Sequence, residues 1–300
     1  MTSAEHLRVA LAQVTYDGEE REGSVADRAR GVAADLAARL AGEEVDLVVL
    51  PELWAVGAFR PRTWAERAES LDGPTSAAMA DLARDTGALV HLGSILERDT
   101  DGALHNTSIV LTPSGERLAT YRKIHRFAAG GLEGELLTGG EEVVVADLPT
   151  RTGATVRAGL SICYDMRFPE LYRAQVAAGA ELMVIPASWP RRRIGVWDLL
   201  LRARAVENQC AVVGVNAVGV DGRTPMGGRS AVIDAWGEAV STPMGGGEDE
   251  GEGAAAPTQV AVVDVDLAAV RDARESFPVL PDRRMSVVAT PSPERRPGPS

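Results

Sequence analysis

The chain has 300 residues and a mass of 31.7 kDa, enough for one large domain or two small ones around a sizeable core. Its 45% apolar and 25% charged residues are ordinary globular values, and no charge-free apolar run reaches the roughly 18 residues of a membrane span, so wholesale disorder and membrane insertion are excluded. The 43 acidic residues outnumber 31 basic ones for a formal charge of -12, which speaks against nucleic acid or anionic lipid as partners but leaves room for a small anion where basic side chains converge.

In chain order, LRVALAQV (7–14) reads as a strand and an Ala-rich stretch near 24–41 as a helix. DLVVLPE (46–52) is the next strand. A helix over 74–86 has Pro74 in its first turn and Gly87 at its end, and leads into the strand ALVHLGSI (88–95). Ser108 to Glu116, with Pro113, Ser114 and Gly115 at its turn, carries a hairpin signal. TVRAGLSIC (155–163) is a strand, followed by a helix over 169–179 between Pro169 and Gly179, the strand ELMVIPAS (181–188), a helix over 196–208 and the strand CAVVGVNAV (210–218). A second hairpin signal spans Ser230 to Glu238, and QVAVVDVDL (259–267) is the last strand. The acidic Gly-rich segment from Gly245 to Gly253 reads as a solvated loop without a role beyond solubility. Residues 1–275 read as one domain, and 276–300 as a Pro/Arg-rich tail that frays or packs on another surface, such as a partner subunit.

The order strand, helix, strand, helix, strand occurs twice, and residues repeat with it. Asp46-Leu-Val-Val-Leu-Pro51 matches Glu181-Leu-Met-Val-Ile-Pro186, and Ser108 to Glu116 matches Ser230 to Glu238. Two such halves, each a sheet with helices on one face, can bury their bare sheet faces against each other. This predicts an α/β fold, a four-layer α-β-β-α sandwich with approximate two-fold symmetry inside one chain. A doubly wound single sheet is the alternative, against which the antiparallel hairpins weigh.

Two cysteines, Cys163 and Cys210, and an opening without a basic segment or apolar signal core point to a cytoplasmic protein with reduced thiols. The four histidines, His6, His91, His105 and His125, lack metal-ligand spacing, so no metal is expected. Cys163 ends a strand and leads into a helix, a turn that presents a thiol near backbone N–H groups. Cys210, at the head of a strand, fits core filling. Glu52 closes a buried strand and so brings a carboxylate to the rim of the core, where it can serve as a general base. Lys123 follows the first hairpin, where its ammonium is either surface charge or a stabiliser of a developing oxyanion.

Pro51-Glu52, Tyr121-Arg-Lys123 and Leu160-Ser-Ile-Cys163-Tyr-Asp-Met-Arg-Phe-Pro-Glu170 resemble, in order and at suitable separations, the three signature segments of the nitrilase superfamily of carbon-nitrogen hydrolases. The resemblance spans about residues 7–285 and includes Leu201 to Gln209 and Gly228 to Asp234. The stretch after Cys163 looks most like the ω-amidase and deaminated-glutathione amidase branch. The resemblance implies an α-β-β-α sandwich, a homodimer or larger homo-oligomer, no cofactor, and a triad of Glu52, Lys123 and Cys163. It also implies an assisting glutamate, Glu133 with Gly140 as the turn glycine that follows, though Glu135 is close by. Ser188, Trp189 and Arg193 match a substrate-binding segment, with Ser188 in place of an asparagine and Val196 in place of a histidine.

The expected chemistry is hydrolysis of a small-molecule amide to an acid and ammonia through a Cys163 thioester, with the backbone N–H of Tyr164 completing an oxyanion site. Arg193, beside Arg191 and Arg192, is either solvated surface or a bidentate partner for a substrate carboxylate, which would favour dicarboxylic monoamides. The alternatives are a Cys163–His125 dyad, a nitrilase or N-carbamoyl hydrolase, and a metabolite-binding protein without turnover.

Overall fold

Alternation along the strand His6–Gln13 sorts its side chains between two cores. Leu7, Val9 and Leu11 enter one buried cluster, while Ala10 and Ala12 enter another. The same division runs through the next strand, where Leu47 and Val49 face one way and Val48 and Leu50 the other. The computed structural model describes residues 6–17, 24–127, 133–246 and 257–285.

One sheet has the strand order Gln259–Asp266, His6–Gln13, Leu47–Val49, Leu89–His91, Leu104–Leu111, Ile95–Arg98, with Arg117–Arg122 also paired to Leu104–Leu111. The other runs Val145–Pro149, Thr155–Leu160, Leu182–Ala187, Ala211–Asn216, Ala231–Ile233. The first five strands of each sheet share one pattern of pairings: antiparallel, parallel, parallel, antiparallel. Register agrees as well. Val9 sits opposite Leu47 as Ala158 sits opposite Leu182, and Val90 opposite Leu111 as Val212 opposite Ile233. These are the same equivalences that the repeated residues give, so the internal duplication holds position by position.

Helices Val25–Arg39 and Pro74–Thr86 cover the first sheet, with Ala29, Leu36, Met79 and Leu82 packed on Ala10, Val48 and Val90. Helices Pro169–Ala177 and Ile194–Asn208 cover the second through Tyr172, Trp197 and Leu201. The bare faces meet in the largest core, where Val9, Leu47 and Val49 join Ala158, Leu160 and Val184. The architecture is the α-β-β-α sandwich, and the single doubly wound sheet is ruled out. Pro74 and Pro169 open their helices, and Gly87 closes one in the left-handed region at φ 66°.

Three features depart from the sequence reading. The strand expected over 88–95 breaks into Leu89–His91 and Ile95–Arg98 at Gly93, whose φ is 77° and where a Cβ would run into the carbonyl oxygen of Pro51. The strand expected over 210–218 also divides, and its second part, Val218–Asp221, forms a small third sheet with Thr15–Asp17 and Thr224–Pro225. A helix not foreseen, Leu267–Ser276, follows the last strand; the Asp266 side chain accepts from the Ala269 N–H at 3.0 Å, and Leu267, Val270 and Ala273 are buried. The start of the tail lies on this chain's own surface, where the Gln209 amide donates to the Phe277 carbonyl at 2.7 Å. Residues 247–253 of the acidic loop and 286–300 of the tail fall outside the described residues.

Candidate active site

The equivalent strands Leu47–Val49 and Leu182–Ala187 run out toward each other from the two sheets, and their ends are joined. The Glu52 N–H donates to the Ala187 carbonyl at 3.4 Å. In return the Ser188 N–H donates to Glu52 Oε2 at 2.9 Å and the Ser188 hydroxyl to the Glu52 carbonyl at 2.8 Å. Glu52 is thereby buried at the seam between the halves. The close packing of Gly93 on Pro51 and a bond from the Leu53 N–H to Ser94 Oγ at 3.0 Å fix the backbone on either side of it.

Lys123 reaches this carboxylate from the end of the strand Arg117–Arg122. Its ammonium donates to Glu52 Oε1 at 2.6 Å and to both oxygens of Glu133 at 2.9 and 3.0 Å. The backbone of Lys123 is held by the Asn106 carbonyl on one side and the Gly140 N–H on the other, each at 2.9 Å. Gly140 is needed there because a Cβ would strike the carbonyl oxygen of Arg122. Burial alone would drive the Lys123 ammonium toward its neutral form, but the carboxylates of Glu133 and Glu52 outweigh it and hold the group charged, well above the usual lysine range. Glu133 is buried and also accepts from the Phe127 N–H at 2.7 Å, whereas Glu135 is exposed. Of the two candidates, Glu133 is the one in contact with Lys123.

Cys163 follows the strand Thr155–Leu160 and opens a short 3-10 turn, Cys163–Arg167, with its own φ at 45°. A left-handed non-glycine residue at this point is strained, and the strain aims the side chain out of the strand direction. The thiol is pushed well above its usual range by burial and then by the Glu52 carboxylate, with Lys123 opposing. The surroundings of the sulfur therefore favour the thiol over the thiolate. The Tyr164 N–H lies in the first turn, where helical backbone donors have no carbonyl partner of their own.

Glu52, Lys123, Glu133, Cys163 and Ser188 line one cavity of about 210 Å³, together with a largely aromatic wall from Phe59, Trp64, Phe127, Tyr164 and Trp189. Two cations join them. Arg193 lies 5.2 Å over the Phe127 ring and Arg167 lies 5.1 Å over the Trp189 ring. Burial, then repulsion from Arg192, lowers the affinity of Arg193 for its proton, so an anion in the cavity would relieve it. Trp189 fixes this segment by donating its indole N–H to the Arg193 carbonyl at 2.8 Å. Within the Arg191 to Arg193 run, only Arg193 is among the cavity-lining residues.

The His125 ring instead bonds through Nδ1 to Asp165 at 2.8 Å and stacks on Phe168 at 3.8 Å, which leaves Glu52 as the acid-base group facing the sulfur. Cys210 is core filling, its thiol pushed up to about 12 by burial. Besides the aromatic residues Phe59, Trp64 and Phe127, two polar site residues escaped the sequence reading. Asn106 donates to Glu52 Oε1 at 2.9 Å and Glu133 Oε1 at 3.1 Å, bridging the two carboxylates from a strand position that looks like ordinary hairpin sequence. Arg167 was visible inside the Cys163 motif but had no signal to separate it from a solvated arginine. Among the described residues no cluster of three metal-ligating side chains occurs, and no helix is long and apolar enough to cross a membrane.

A carbon-nitrogen hydrolase family model matches residues 8–275. The 2-oxoglutaramate amidase of Paenarthrobacter nicotinovorans is 39% identical over 94% of this chain and 91% of its own length. An omega-amidase of Danio rerio is 32% identical over 85% of this chain and 88% of its own. Among solved structures, a superfamily protein of Xanthomonas campestris with an arsenic adduct in its active site is 30% identical, with a TM-score of 0.79 over 95% of this chain and all of that one. The shared fold, the ordered motifs and a match over nearly the whole chain lead to one conclusion: this protein belongs to the carbon-nitrogen hydrolase family, on the branch that holds the ω-amidases and deaminated-glutathione amidases.

Proposed function

We propose that this enzyme hydrolyses ω-amides of small dicarboxylic acids, of the 2-oxoglutaramate or succinamate type, with Cys163 as nucleophile. The observation that carries this reading is the convergence of Cys163, Glu52, Lys123 and Glu133 in one cavity that also holds Arg167 and Arg193. Glu52 removes the thiol proton as sulfur attacks the amide carbon. The oxyanion is met by the Lys123 ammonium and the Tyr164 N–H. Glu52 returns the proton to nitrogen, the carbon-nitrogen bond breaks, ammonia leaves and a thioester remains. Water, deprotonated by Glu52, then attacks the thioester, the acid departs and the thiol is restored. Glu133 and Asn106 hold Lys123 and Glu52 in place throughout.

Ammonia release over a panel of ω-amides, carbamoyl compounds, simple amides and nitriles tests the proposal. Cys163→Ala is expected to fold and to release no ammonia; turnover by that variant would end the scheme. Arg193→Ala is expected to raise KM about tenfold for dicarboxylic monoamides and to spare neutral amides. Equal effects on both classes would reject Arg193 as the carboxylate partner. The two free thiols support a reducing, cytoplasmic setting. Exposed Leu199, Val206, Trp236 and Phe277 support a homodimer or larger homo-oligomer, which sedimentation would measure.

A further inference from the structure

One buried charge beside the nucleophile takes no part in the mechanism. The Asp165 carboxylate, two residues beyond Cys163, is fully buried and accepts four hydrogen bonds. Oδ2 takes the Ile162 N–H at 2.9 Å and the Tyr121 hydroxyl at 2.7 Å. Oδ1 takes the His125 N–H at 2.9 Å and the His125 ring at 2.8 Å. Three other donors to the same carboxylate favour the ring tautomer that carries its hydrogen on Nδ1. The donors come from two segments. Ile162 immediately precedes the nucleophile, and Tyr121 and His125 flank Lys123 at equal distance on either side. Phe168, stacked on the His125 ring, ties the same two segments a second time.

We propose that Asp165 is a positioning residue, whose carboxylate braces the Cys163 turn against the Lys123 segment and so sets the sulfur relative to the Glu52–Lys123 pair. Cys163 sits at a strained φ on a turn of five residues, and nothing within so short a turn fixes its distance to a side chain from another strand. The Asp165 bracket does. His125 acts in the same brace, through Asp165 rather than on substrate. Asparagine cannot reproduce this carboxylate, because on either side its NH2 would face a backbone N–H, of Ile162 or of His125, that can only donate.

The inference rests on Cys163 being the nucleophile, and the test separates the two. Asp165→Asn, Tyr121→Phe, His125→Ala and His125→Asn are compared with the parent and with Cys163→Ala. Readouts are kcat and KM for 2-oxoglutaramate and succinamate, and the rate of Cys163 alkylation by iodoacetamide, with Cys163→Ala giving the background from Cys210. Asp165→Asn is expected to lower kcat about 100-fold with KM within about threefold, and to slow alkylation of Cys163 in parallel. Tyr121→Phe and His125→Ala are expected to show smaller losses of the same kind. His125→Asn, whose amide can donate where Nδ1 does, is expected to recover most of the His125→Ala loss. A folded Asp165→Asn variant with parental kcat and alkylation rate overturns the brace. If that variant fails to fold, an unchanged kcat in both Tyr121→Phe and His125→Ala overturns it instead. Turnover by Cys163→Ala would refute the nucleophile assignment itself, a result distinct from any of these.

Discussion

The two halves of the sandwich place different residues at equivalent strand ends. Where the second half has Cys163, the first has Val14; where the first has Glu52, the second has Ala187. Val14 is buried and its carbonyl accepts from the Val218 N–H at 3.1 Å, so the chain there runs on into the small third sheet. Cys163 turns sharply at its left-handed φ instead. Likewise Ala187 offers Glu52 only a backbone carbonyl, and the side chain that does chemistry is on one strand alone. Duplication thus supplies a rigid seam at which two strand ends meet, and the site is made by breaking the symmetry at a few positions on that seam. The chemistry needs this asymmetry, because two copies of Glu52 at the seam would repel and one would take up a proton.

Glu52→Gln tests the seam most severely. It keeps the shape and removes the base, and kcat is expected to fall by about 1000-fold or more with little change in the unfolding midpoint; a loss below about tenfold would remove Glu52 from the role. Val14→Ala, at the position equivalent to Cys163, should do the opposite. Stability drops by about 2 kcal/mol from the lost burial, read by denaturant unfolding, while kcat per folded molecule stays at the parental level. A third contrast lies at His91, whose equivalent in the second half is the buried Val213. Burial lowers His91 from 6.5 to about 4. The folded value lies below the unfolded one, so the unfolded chain binds the proton first as pH falls. Stability is full above pH 6.5 and declines between there and pH 4, by about 2 kcal/mol at pH 5. His91→Val, which copies the second half, should flatten that part of the curve; an unchanged acid limb would show that other groups set it.

The features legible in the sequence are those that local pattern controls. Alternating apolar residues gave the strands, Pro74, Pro169 and Gly87 gave helix boundaries, and the repeated DLVVLP and ELMVIP segments gave the symmetry in its true register. Glu52 and Cys163 could be singled out because each stands at the end of an apolar run, and Lys123 because it follows the first hairpin. Asn106 and Asp165 could not, since their meaning arises from partners such as Glu133 and Tyr121 that fold from elsewhere in the chain. The break at Gly93 was hidden for a related reason: it is imposed by the Pro51 carbonyl, not by neighbours in sequence. The helix Leu267–Ser276 was legible in principle from Asp266 as its cap and apolar residues three apart, but the polar content of the stretch obscured it.

The strand Gln259–Asp266 pairs along its whole length with His6–Gln13, so the first sheet is completed by residues about 250 positions further along the chain. The second sheet has no such dependence, since Val145–Pro149 and Thr155–Leu160 form a hairpin over a few residues. On a ribosome, therefore, the strand Thr155–Leu160 can gain its outer neighbour as soon as that hairpin emerges, while His6–Gln13 has one side unpaired until residues 259–266 have been made. An unpaired edge is a template for pairing with another chain, so the earlier half is the more open to mispairing during synthesis. The same pairing spans the boundary between the two repeats, tying residues 259–266, which follow the later one, to residues 6–13, which open the earlier one.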